Sequence, residues 1–185
     1  DVTNGDLIVY DGSITNFEDD TKLTPNSTVY FSKVNDDWSD TTSISSFTHS
    51  ITSYRVGALV HTNIRIEVTS DIILSKTIDE FYGILLKLES SEFNPVKTSF
   101  GHGHGGRDGI SQGPFFSPLS IEVFKNDPDN STIPTATGNQ FWIRIKTFKN
   151  NSDKFGGNLV DQDTIIDRYV IRSGVIFNGT ITYKS

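Results

Sequence analysis

At 185 residues the chain has the length of one domain, and its 16 Lys+Arg against 23 Asp+Glu give a net charge of −7. With no basic stripe, that balance excludes nucleic acid and an anionic membrane surface as partners. Zero Cys excludes disulfides, thiol catalysis and Cys-liganded zinc, and no window reaches the roughly 18 apolar residues of a membrane-inserted span.

The hydrophobic fraction is only 35% while aromatics reach 11%, led by 13 Phe and 6 Tyr, so the core has to be built from aromatic and β-branched side chains, which is sheet chemistry. The chain starts at Asp1 and holds no Met, which reads as either a processed mature chain or a trimmed one, with a removed export signal as one economical explanation. In Asn35-Asp36-Asp37-Trp38-Ser39-Asp40 a Trp stands in a polar loop, where an aromatic plate would suit a sugar or a protein partner; a partly buried edge aromatic is the plainer alternative. Asp36-Asp37 reads as a solvated turn, because the spacing of a calcium-binding EF-hand loop is missing.

Period-two alternation then recurs along the chain. Tyr54-Val56-Ala58-Val60 and Ile64-Ile66-Val68 predict half-buried strands, and His49 and His61 lie in or beside them without any neighbouring nucleophile motif. Ile78 to Leu88 is the one segment with a helical alternative, but Phe81, Tyr82 and Gly83 fit a buried strand at least as well.

The segment Ser99 to Gly109 holds five glycines in eleven residues and is expected to be a mobile or ligand-shaped loop. Within it, His102 and His104 form an H-x-H pair whose imidazoles would share a side if the backbone were extended, a candidate for a divalent metal with Asp108 adding an oxygen. The bland alternative, a solvent-exposed loop without a cofactor, is preferred, because one chain offers only two good nitrogens.

Further on, Leu119-Ile121-Val123 and Phe141-Ile143-Ile145 predict strands, the second with Trp142, Arg144 and Lys146 on its opposite face, where Trp142 is a second candidate ligand plate. Asn126 to Asn130, Lys149 to Lys154 and Gly156-Gly157-Asn158 are turns by composition, and Asp161-Gln162-Asp163 reads as another acidic turn. Val175-Phe177-Ile181-Tyr183 is the last alternating run. Asn26, Asn130, Asn150 and Asn178 head N-x-S/T sequons, a number that a chain rich in Asn, Ser and Thr produces by chance. Many short strands without strand-helix alternation predict an all-β fold: one antiparallel β-sandwich over residues 1–185, with a jelly roll as the alternative.

Two stretches carry a family resemblance. Ile8, Tyr10, Gly12 and Ile14 within Gly5 to Ile14 resemble the first strand of chaperone-usher pilus (fimbrial) subunits, and Ser173 to Tyr183 is similar to the closing strand of that family. Pro118 to Phe124, Ile133 and Phe141 to Ile145 follow the order of its middle strands, while the disulfide common in the family is missing here. The resemblance implies an immunoglobulin-like sandwich completed by a donor strand from the next subunit, an extended segment satisfying an open sheet edge. Residues 1–10 would be the donor, inserting either Val2, Leu7 and Val9 or Ile8 and Tyr10.

The expected function is therefore a pilus structural or adhesive subunit on the outside of the cell, not an enzyme. The implied partners are neighbouring pilus subunits, a periplasmic chaperone and a host receptor or glycan. The alternative is the trimeric receptor-binding head of a phage or viral fibre, borne on a virion, with His102 and His104 meeting on its axis. A polysaccharide-binding or polysaccharide-cleaving sandwich domain comes third.

Overall fold

The structure is a computed structural model that describes residues 21–33, 37–74, 83–107, 117–127, 133–147, 159, 161–163, 166 and 168–185. Short alternating runs dominate these residues, and they form strands. In chain order they are β1 (Thr21–Leu23), β2 (Thr28–Lys33), β3 (Asp37–Ser43), β4 (Phe47–Val56), β5 (Leu59–Val68), β6 (Ile72–Ile73) and β7 (Gly83–Glu89). There follow β8 (Ser99–Arg107), β9 (Ser117–Phe124), β10 (Gln140–Thr147), β11 (Asp161–Asp163), β12 (Arg168–Ile171) and β13 (Val175–Lys184).

Ten strands make one antiparallel sheet in the order β1-β4-β5-β13-β8-β9-β10-β7-β2-β3, and β11-β12-β6 make a second, three-stranded one. The large sheet curls into a half-barrel, so the all-β antiparallel architecture expected from the sequence holds, with its layers made by one curled sheet. Phe31 in β2 and Phe47 in β4 stand near opposite ends of that order, yet their ring centroids lie 6.4 Å apart. The donor-completed, immunoglobulin-like form hinges on Val2, Leu7, Ile8, Val9 and Tyr10, all of which lie outside the described residues.

The core fills the inside of the curl. Ile64 and Ile66 of β5, Ile121 and Val123 of β9, Phe141, Ile143 and Ile145 of β10, and Val175, Phe177, Ile181 and Tyr183 of β13 all point into it. Alternation therefore assigned these faces correctly, since successive strand residues point to opposite sides. Buried Tyr183 donates its hydroxyl to the Phe93 carbonyl at 2.8 Å, and burial pushes its pKa up to about 12. Ser53 and Thr62 pair their hydroxyls at 2.7 Å on the same face, which satisfies both buried groups.

Two expectations change. The run from Tyr54 to Val60 is not one strand but a hairpin, in which Val56 pairs with Leu59 and Gly57 takes the turn at φ +61. Asp161–Asp163 is a strand, β11, paired with β12, where an acidic turn was expected. Ile78 to Leu88 resolves for strand from Gly83 onward, its earlier residues lying outside the described set.

Candidate functional site

The glycine-rich segment is the largest departure from expectation: Ser99–Arg107 is strand β8, paired with β13 on one side and β9 on the other. Its glycines alternate. Gly101, Gly103 and Gly105 take the core-facing positions, and their partners explain why no side chain stands there. A Cβ on Gly103 would meet the Asn178 carbonyl oxygen and come within 2.9 Å of Gly179 Cα, and one on Gly101 would lie 2.8 Å from Ile181 Cβ. Only glycine lets the backbones of β8 and β13 approach this closely, as happens where a sheet bends sharply.

The residues between those glycines point outward. His102 is opposite Thr180 and His104 opposite Asn178, and the same register continues through β5 and β4. One row across the sheet therefore reads Ser50, Arg65, Asn178, His104, and the next reads Thr52, Asn63, Thr180, His102. Residues directly opposite one another share a face. Together with the bare backbone at Ile64, Gly103 and Gly179, these two rows line an open groove of about 340 Å³.

A third row closes one end. Tyr54 and His61 are cross-strand partners whose rings stack 5.0 Å apart at 17°, and the Thr182 hydroxyl lies 2.9 Å from His61 Nδ1. Continuing the β8–β13 register by two residues brings Phe100 beside Thr182, and Phe100 is 64% exposed. At the other end Arg65 Nη2 donates to Glu67 Oε2 at 3.1 Å, both side chains being well exposed.

The candidate metal pair is thus on a strand, with both imidazoles on one outer face as the H-x-H spacing anticipates. Among the described residues no group of three or more His, Asp or Glu is placed to hold a metal ion, and Asp108 lies outside them. His49 faces the opposite, inner side, opposite Ile66; desolvation by burial, helped by Lys22, lowers its pKa.

Both tryptophans are corrected as ligand plates. Trp142 is 2% exposed and Trp38 4%, and they share a second apolar cluster with Leu85, Phe124, Ile133 and Ala136 on the outer side of β10 and β7. Trp142 donates its indole N–H to the Pro134 carbonyl at 2.9 Å and meets Tyr30 edge-on at 5.7 Å. Trp38 is in β3 rather than a loop, beyond a bulge between Phe31 and Lys33 that shifts its register.

Beside this cluster Arg144 is fully buried, held by Glu122 and by both oxygens of Asp127 at 3.0 Å, with the Phe124 ring 4.9 Å away. The arrangement ties the segment after β9 onto the outer side of β10, so the Trp142 face is covered. A structural strut is the chemistry this supports, because both carboxylates are spent on the guanidinium.

In comparison with known proteins, no family model matches this chain, no curated protein matches it, and no solved structure matches it.

Proposed function

We propose that this chain is a non-catalytic adhesive domain of an extracellular surface assembly, and that it holds a glycan on the polar face of β4, β5, β13 and β8. The observation that carries the reading is the groove itself. Hydroxyls and amides of Ser50, Thr52, Asn63, Asn178 and Thr180 stand in register across three strands, with His102 and His104 of β8 extending the same rows, beside the stacked Tyr54–His61 rings. Sugar hydroxyls both donate and accept, so they complement amides and hydroxyls, while the apolar face of a sugar ring suits an aromatic surface. Cleavage by the usual glycosidase route takes two carboxylates flanking the bond. The groove is lined by none among the described residues, which favours binding over hydrolysis.

The test is a glycan array probed with the protein and with the double variant Asn63→Ala/Asn178→Ala. Binding to a defined set of glycans, weakened at least tenfold in a variant that melts like the parent, supports the reading; no glycan bound by the parent overturns it. The fibre-head alternative competes directly, because a trimer with His102 and His104 on its axis would cover this face. Light scattering with and without a chelator separates them, a chelator-sensitive trimer counting against the adhesive face. The pilus form of the reading adds polymerisation through residues 1–10, and deleting them would then block polymer growth while leaving a folded monomer.

A further inference from the structure

On the reading that this face holds a glycan, we propose that the glycan is acidic, its carboxylate or sulfate seated over Arg65 in the row formed with Ser50, Asn178 and His104. Among the described residues, every titratable side chain that lines the groove is basic, namely Arg65, His102 and His104. That stands out in a chain where 23 acidic residues outnumber 16 Lys and Arg. With His counted neutral, Arg65 is the one formal charge on that lining, and an anionic group is drawn to it.

The row around Arg65 is rich in donors. A guanidinium carries five N–H donors, and the contact to Glu67 at 3.1 Å engages Nη2 alone. Glu67 sits one row along the same face, opposite Ile176 and outside the lining of the groove, so it holds the guanidinium from the side. The Asn178 amide lies directly opposite Arg65 on one side and the Ser50 hydroxyl on the other. A carboxylate or sulfate accepts several such hydrogen bonds at once, and charge-assisted ones are roughly twice as strong as neutral ones. Because the Arg65–Glu67 pair is exposed, with side chains 50% and 38% accessible, sharing the guanidinium with a ligand sacrifices little.

The groove also fixes where the rest of the ligand runs. From Arg65 to His61 is four residues of β5, about 13 Å at the usual strand rise. That span exceeds one sugar ring. An oligosaccharide with its charged group over Arg65 would cross the Asn63–Thr180 row and reach the Tyr54–His61 stack with an uncharged ring.

The experiment uses an array of carboxylated and sulfated oligosaccharides, each beside its own neutral core, followed by titration of the best pair. The expected result is acidic members bound at least tenfold tighter than their cores, with the carboxylated and sulfated sets showing which anion is preferred. In Arg65→Gln the acidic-to-neutral ratio should fall towards one, and in Arg65→Lys, which keeps the charge, most of it should survive. Equal binding of acidic members and neutral cores overturns the acidic ligand but leaves the glycan-binding reading standing. An undiminished ratio in a folded Arg65→Gln protein overturns it as well. Binding to neither set overturns the glycan-binding reading and this inference with it.

Discussion

Gly103→Ala is the sharpest test of the close approach between β8 and β13. The new methyl would be directed at the Asn178 carbonyl oxygen, 3.0 Å from the Asn178 carbonyl carbon and 2.9 Å from Gly179 Cα, all of them backbone atoms of a central strand. Backbone paired on both sides cannot swing aside. Overpacking costs typically 1–3 kcal/mol, and with no flexible neighbour to yield the cost should sit at the top, about 3 kcal/mol. Gly105→Ala, two residues along the same face, is the internal control. Its methyl would meet Leu159 Cδ1 at 2.8 Å, the far end of a side chain that can rotate, so about 1 kcal/mol is expected there. For a chain of this size each kcal/mol moves Tm by about 2–4 °C, so calorimetry should show Gly103→Ala down by roughly 6–12 °C and Gly105→Ala by roughly 2–4 °C. If Gly103→Ala melts at or above Gly105→Ala, the close approach of β8 and β13 is not what selects these glycines.

Two further outcomes concern the buried polar groups. Replacing Arg144 by Met strands Glu122 and Asp127 as buried carboxylates, so the urea midpoint should drop by the equivalent of about 3–5 kcal/mol. The triple change Arg144→Met/Glu122→Gln/Asp127→Asn should recover a substantial part of that loss. Tyr183 predicts a loss of stability in alkali. Its pKa rises from 10.0 unfolded to about 12 folded, so below pH 10 both states hold the proton and nothing is lost. Between pH 10 and 12 only the unfolded state releases it, and stability falls by about 3 kcal/mol. Denaturation at stepped pH should show that slope, and Tyr183→Phe should flatten it.

The parts of the fold visible in the sequence are those decided within one strand. Phe141, Ile143 and Ile145 face the core as their spacing requires, and so do Val175, Phe177, Ile181 and Tyr183. Whatever depends on a distant segment was hidden. Trp142 and Arg144 alternate with the core residues of β10 and so read as a solvent face, yet Pro134, Ala136 and Asp127 come over from the segment beyond β9 and cover it. Local composition also misled at β8, where glycine content suggested a loop. The signal that identifies it as a strand was present: Gly101, Gly103 and Gly105 alternate strictly with Phe100, His102 and His104. Period two in which the core positions are glycines is still period two. The candidate site was legible only in His102 and His104. Asn63, Arg65, Asn178 and Thr180 look like ordinary polar strand residues until the register sets them side by side.

That register separates two properties along a single strand. On the inner face of β8, side-chain size is constrained by the backbone of β13, and a methyl there acts on stability. On the outer face, His102 and its row neighbours Thr180 and Asn63 are exposed, so changing them acts on what the groove contacts. Surface substitutions of that kind usually stay within about 0.5 kcal/mol of the parent. A loss of ligand in an Asn63 or Arg65 variant can therefore be assigned to the groove once its melting point is shown unchanged. The same loss in a Gly103 variant would report the spacing of β8 and β13, because the groove is lined at Gly103 and Gly179 by the backbone whose close approach that glycine permits.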